Sequence, residues 1–196
     1  RTIEHLEIKL KMNISILLPY KENFSPDYPG AVSLFVYETS KISKYKKNIT
    51  VFGNTNYKRR FKLKYVNIDL KKNLFTSQTK LYVNKFINLE KNYNSKIIEI
   101  HNRPSYLQNI HNVYKDSKFI LIFHNDPLSQ KGSRSIDERI FLLNKCSQIY
   151  FISSWVEEQF FQGIDKNFYS NFKIIYHSIN PLKKFPKKEK LIIFSG

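Results

Sequence analysis

Six short apolar runs punctuate the chain, at residues 14–18, 49–52, 97–100, 119–123, 149–152 and 174–176. Each has the length of a buried strand and is too short for a buried helix. The segments between them carry helical spacing. Ala31, Leu34, Phe35 and Ile42 share one predicted face, Leu107, Ile110 and Tyr114 a second, and Ile136, Ile140 and Leu143 a third. Pro104 suits a first helical position, where a missing N–H costs nothing. Ser135 with Glu138, and Ser154 with Glu157, fit reciprocal capping boxes, and Gly163 suits a helix end. Residues 57–68 read as a further strand and 77–91 as a more polar helix. Strands alternating with helices of this length imply an α/β fold: a Rossmann-like, mostly parallel sheet with helices on both faces.

The pattern also sets expected boundaries. Met12 is the only methionine and stands just before the first apolar run, so residues 1–11 read as an N-terminal extension. Residues 12–180 form the predicted domain. Residues 181–190, Pro-Leu-Lys-Lys-Phe-Pro-Lys-Lys-Glu-Lys, read as a linker. Residues 191–196, Leu-Ile-Ile-Phe-Ser-Gly, read as the first strand of a second domain. The expectation is the first half of a two-domain α/β protein.

Composition narrows the class. With 41% hydrophobic and 15% aromatic residues the chain is globular. Its apolar runs fall far short of the ~20 residues that span a bilayer, and no signal peptide pattern opens it. The single Cys146 rules out an internal disulfide framework and fits a reducing, cytoplasmic compartment. Two glycosylation patterns, Asn13-Ile14-Ser15 and Asn48-Ile49-Thr50, sit in or beside buried strands. The net charge of +17 is uneven: between Lys41 and Lys72 there are eleven Lys or Arg and one acid, Asp69. Lys46, Lys47, Arg59, Arg60 and Lys62 form the heart of this patch, which would attract an anionic membrane surface or nucleic acid. Arg60, Lys62 and Lys64 alternate with Phe61, Leu63 and Tyr65, as in a strand with one basic face.

Parallel sheets bind ligands beyond the carboxyl ends of their strands, which directs attention to the residues after each apolar run. After the first comes a long loop ending in Pro29-Gly30-Ala31, where a helix start offers free amides to an anion or a sugar hydroxyl. Then come His101-Asn102-Arg103, His124-Asn125-Asp126, Ser153-Ser154 and His177-Ser178-Ile179-Asn180. Three of the five histidines thus stand at strand ends on one rim, with amide and guanidinium donors beside them. No histidine pair has helical metal-ligand spacing, and neither a Gly-x-Ser-x-Gly elbow nor a Gly-x-Gly-x-x-Gly turn is present.

In this order the pieces resemble the N-terminal domain of the GT-B glycosyltransferases, of the retaining family 4 type. The resemblance rests on residues 13–18 with the Gly30 loop, Val51-Phe52-Gly53, Ile98-Glu99-Ile100-His101, 119–124, 149–154, 173–180 and 191–196. Two departures stand out. Gly30 replaces a usual pair of glycines, and His177-Ser178-Ile179-Asn180 replaces Asn-Gly-Ile-Asp. The resemblance implies transfer of a sugar from a nucleotide sugar to a glycan or lipid-linked acceptor in envelope polysaccharide or lipopolysaccharide synthesis. It implies that His124 is the catalytic contact to the donor sugar, that Gly30, Ala31 and Ser153 face the donor phosphate, and that His101, Asn102 and Arg103 line the acceptor side. No metal or other cofactor is expected, the oligomeric state stays open, and the basic patch would hold the protein on the inner face of the cytoplasmic membrane. A nucleotide-sugar epimerase shares the architecture. A basic nucleic-acid-binding domain would fit the charge, but no nucleic-acid motif accompanies it.

Overall fold

The computed structural model describes residues 12–70 and 77–176. The expectations for 1–11, for His177-Ser178-Ile179-Asn180, for the linker 181–190 and for 191–196 lie outside those residues. Among the described residues, seven strands form one wholly parallel sheet: β1 (Ile14–Leu17), β2 (Ile49–Gly53), β3 (Tyr65–Asn67), β4 (Ile97–His101), β5 (Lys118–Phe123), β6 (Gln148–Phe151) and β7 (Phe172–Ile174). Their order is β3-β2-β1-β4-β5-β6-β7. The α-helices of the described residues run between them: α1 (Ala31–Ile42), α2 (Gln78–Glu90), α3 (Leu107–Val113), α4 (Ile136–Lys145) and α5 (Ser154–Phe160). Ile14 of β1 pairs with Ile49 on one side and Ile97 on the other. The strand order reverses between β1 and β4, and such a switch point opens a crevice at the carboxyl edge.

Successive strand residues face opposite ways, so each strand feeds two cores. On one face Leu17, Ile98, Ile100, Leu121, Phe123 and Phe151 pack with side chains of α2 to α5, among them Phe86, Leu107, Leu143 and Phe160. At ~1.5–3 kcal/mol for each fully buried large apolar side chain, this cluster carries most of the stability. On the other face Ile14, Ile16, Ile49 and Val51 meet Val32 and Val36 of α1 in a smaller cluster. Below the sheet the buried Glu90 carboxylate accepts from the Ser15 hydroxyl (2.5 Å) and the Ser95 amide (2.9 Å), tying α2 to β1 and to the approach to β4.

The parallel sheet with helices on both faces is as expected, as is the Ser135–Glu138 capping box, but several local expectations differ. Only Tyr65–Asn67 of the expected 57–68 strand is a strand. Residues 57–64 run irregularly past the edge of β2, with Phe61 stacked on Tyr37 at 4.3 Å. Lys62 and Lys64 remain exposed while Phe61 and Leu63 turn inward, so the alternation survives although only the Lys64 carbonyl, accepting from the Val51 amide at 2.9 Å, is bonded to β2 among the described residues 57–64. Helix α1 buries Val32, Ser33, Val36 and Ser40, whereas Ala31, Leu34 and Ile42 face outward. Two of the four buried positions are serines, which apolarity alone does not reveal. Helix α4 buries Arg139, Leu142 and Leu143 and leaves Ile136 exposed. The Arg139 guanidinium goes inside because it donates to the carbonyls of Ser133, Arg134 and Gln162. The cap of α5 is Ser153, which accepts from the Val156 amide, while Glu157 pairs with Lys166. The last strand covers 172–174, where 174–176 was expected.

Candidate functional site

A cleft of about 360 Å³ lies at the switch point, walled by Pro19 and Glu22 after β1, Ala31 and Val32 at the start of α1, Asn102 and Arg103 after β4, His124 and Asn125 after β5, and Ile152 after β6. Of the rim residues expected from sequence, the structure thus brings together Ala31, Asn102, Arg103, His124 and Asn125.

The wall after β4 is built by a backbone reversal. Asn102 has φ 53°, in the left-handed region that asparagine tolerates better than most residues. Its amide donates to the Ile122 carbonyl at 2.8 Å. Its side-chain oxygen accepts from the His124 amide (3.3 Å) and from Gln130 (2.8 Å). Asn102 is therefore a buried bracket holding the ends of β4 and β5 in register. Arg103 donates to the Asn102 carbonyl at 2.7 Å. The Tyr106 hydroxyl, just beyond, accepts from the Tyr20 amide at 3.1 Å and fastens the β1 loop to the β4 side. Burial raises the Tyr106 phenol above its ordinary range, so it stays a neutral partner.

His101 behaves differently from its expected role on the acceptor side. It ends β4 with its side chain fully buried and cannot touch a ligand. Its Nδ1 lies 2.9 Å from Nε2 of His124, and its Nε2 lies 2.6 Å from Oε1 of Glu99. Phe35 of α1 sets its ring edge against both imidazoles, with centroids 6.0 Å from His101 and 5.0 Å from His124. Glu99 drew no attention in the sequence. The available signal was its position two residues before His101, on the same face of one strand.

The start of α1 also departs from expectation. Gly30 is the N-cap, and Glu22 supplies the capping group: its Oε1 accepts from the Ser33 amide at 2.9 Å. A Cβ on Gly30 would stand 1.9 Å from that same oxygen. The position where Gly30 and Ala31 were expected to receive a phosphate thus already holds a carboxylate, which satisfies the helix amide and repels a second anion. Ser153 is likewise committed as the cap of α5. Glu22 could have been flagged as an acid in the loop leading to a glycine-started helix.

The basic residues are exposed but belong to two segments. Lys46 and Lys47 lie in the turn before β2, and Arg59, Arg60 and Lys62 in the stretch between β2 and β3. Arg59 pairs with Asp27 at 2.8 Å, and Arg60 lies over the Tyr65 ring at 4.9 Å. Among the described residues no helix is long and apolar enough to cross a membrane.

No family model and no curated protein matches the chain. Solved structures do. A structure of Anabaena Alr3699/HepE in complex with UDP and glucose matches with a TM-score of 0.59 at 16% identity, over 86% of this chain and 45% of that one. The apo form of the lipopolysaccharide outer core galactosyltransferase WaaB matches at 0.57 and 15%, over 91% and 50%. A glycosyltransferase from Rickettsia africae matches at 0.54 and 14%, over 86% and 44%. The chain spans about half the length of these proteins. At such identities the shared property is the Rossmann-like fold.

Proposed function

We propose that this chain is the N-terminal domain of a glycosyltransferase that moves a hexose from a nucleotide sugar to a glycan or lipid-linked acceptor in lipopolysaccharide or envelope polysaccharide synthesis. The observation that carries the reading is the cleft at the switch point, lined by His124, Asn102 and Arg103, in a fold similar to half of a structure that holds UDP and glucose. The opposing half of the site belongs to a second domain, and closure of the two assembles it. His124 meets the sugar, Arg103 supplies the cation of the cleft, and Asn102 holds both in place. Glu22 excludes the donor diphosphate from the start of α1 and leaves it to the second domain. No metal ion is part of this reading, and the transfer retains anomeric configuration, as the sequence resemblance implies. The exposed basic residues 46, 47, 59, 60 and 62 rest on anionic lipid, presenting the cleft to a membrane-bound acceptor.

The test is sugar transfer by the full-length protein with UDP-hexose donors. His124→Ala should lower kcat by about 10²-fold, the scale of losing one preorganised donor or acceptor at the reacting centre, with KM for the donor little changed. A His124→Ala protein that turns over normally would remove His124 from the site.

A further inference from the structure

A second cleft, of about 490 Å³, is larger than the one at the switch point and opens between α3 and α4. The two share the segments that follow β4 and β5. Asn102, Arg103 and Asn125 line the first, and Pro104, Ser105, Lys131 and Gly132 line the second. The loop wall of this second cleft is preformed. Gly132 has φ 94°, and a Cβ there would stand 2.5 Å from the Ser105 amide nitrogen, so glycine lets the loop press on the segment before α3. The buried Ser133 hydroxyl donates to the Pro127 carbonyl at 2.6 Å, and Asp126 accepts from the Leu128 amide at 2.9 Å. From α4, Arg139 donates to the carbonyls of Ser133 and Arg134. None of these bonds uses the polar side chains of the cleft itself. Among the described residues the side chains of Gln108, Asn109, Lys131 and Asp137 make no hydrogen bond or ion pair, while Phe141 and Leu142 add apolar surface beside them.

That lining selects a ligand chemistry. Two acids, Asp137 and Glu138, stand against one cation, Lys131, in a chain of net charge +17, so the cleft departs from the basic surface and disfavours a phosphate. The two amides both donate and accept, the Asp137 carboxylate accepts and the Lys131 ammonium donates. A neutral ring with several hydroxyls, each donor and acceptor at once, and with apolar C–H faces, answers all of these. A few polar groups beside apolar surface is the usual form of a small-molecule site. We propose that the cleft between α3 and α4 is a second glycan-binding site, which holds a neutral sugar unit of the acceptor outside the transfer cleft. The proposal deepens the glycosyltransferase reading and rests on it for the source of the glycan; sugar binding is read without donor or transfer, so either can fail alone.

The experiment is an NMR titration of the ¹⁵N-labelled 196-residue chain with lactose, maltose and cellobiose, and separately with inorganic phosphate, each to on the order of 50 mM. At least one disaccharide should shift the Gly132 backbone amide and the side-chain amides of Gln108 and Asn109, saturating in the low millimolar range, while phosphate leaves them in place. Asn109→Ala and Asp137→Ala should each weaken that binding about fivefold, the worth of one hydrogen bond. Both residues are exposed, so the variants should keep the dispersed spectrum of the folded chain. No shift with any of the three sugars overturns the proposal, as do shifts confined to Asn102, Arg103 and Asn125. Phosphate binding at Gly132 more tightly than every sugar also overturns it, as does undiminished binding in both folded variants. If either variant fails to fold, the wild-type shift map decides alone.

Discussion

The carboxylate at the start of α1 gives the sharpest energetic test. Gly30 caps the helix without a side chain, and Glu22 takes over that role through its 2.9 Å bond with the Ser33 amide. Removing the bond by Glu22→Ala should cost about 1.5 kcal/mol, combining a lost cap with a lost charge at the positive helix end. Glu22 is half-buried, so solvent screening keeps the figure from being larger. Gly30→Ala should cost about as much for a different reason. The backbone of Gly30, at φ −77° and ψ 157°, suits any residue, but the new methyl would lie 1.9 Å from Oε1 and 2.5 Å from Cδ of Glu22. The flexible carboxylate would swing away, and the same hydrogen bond would be lost. Both substitutions therefore remove one interaction, and their costs should not add.

A double-mutant cycle by urea unfolding, followed by circular dichroism, measures this. The double variant should lose about 1.5–2 kcal/mol where the two singles sum to about 3, a coupling near 1 kcal/mol. For a chain of this size each single variant should melt about 3–6 °C lower. Glu22→Gln, which keeps the acceptor, should lose less than half as much as Glu22→Ala. Additive costs, within about 0.5 kcal/mol, would refute the account of Gly30 as the space that admits Glu22.

Other outcomes follow from buried groups and from the charge. Arg139→Ala should destabilise by about 2–4 kcal/mol, since three carbonyls lose a buried donor, and Arg139→Lys should not restore it because one ammonium cannot match the guanidinium fork; calorimetric melting reads both. Burial pushes the Cys146 thiol well above its ordinary range, so labelling by a thiol reagent should proceed only as fast as the chain opens. Because the unfolded thiol ionises near pH 8.5 and the folded one does not, this group should subtract stability as pH rises past that value, and Cys146→Ala should abolish its share. Binding to anionic vesicles should fall as salt rises, and replacing Lys46, Lys47, Arg59, Arg60 and Lys62 with Gln should abolish it; vesicle flotation reads the difference.

What was legible in the sequence was whatever burial writes directly. The strands through Ile16, Val51, Ile98, Leu121 and Ile149 are apolar because both faces of the sheet are covered, and the reciprocal box at Ser135 and Glu138 announces α4 in four letters. Helix faces were less legible. Ser33, Ser40 and Arg139 are inside for reasons of size and hydrogen bonding, while Leu34 and Ile136 are outside with apolar side chains. The rim was found because parallel sheets put their ligands there. The partners that shape it were not, since Glu22 meets Ser33 across a folded loop and Glu99 reaches His124 only through a buried ring. A pattern along one chain does not record contacts made across two.

The strand order also has a bearing on how the chain folds. Strands β1, β2 and β3 are neighbours in sequence and in space, and so are β4 to β7. The two groups meet only at the β1–β4 seam, where Ser15 touches Ser95 across a separation of 80 residues. During synthesis β1 emerges before β2 and can pair with it on one side, yet its other edge stays bare until β4 arrives. Closing so long a loop is slow, and an unpaired edge on a strand as apolar as Ile-Ser-Ile-Leu invites the wrong partner. The seam that opens the cleft is thus also the contact that covers the bare edge of β1, and conditions that delay it should be the ones under which the protein aggregates.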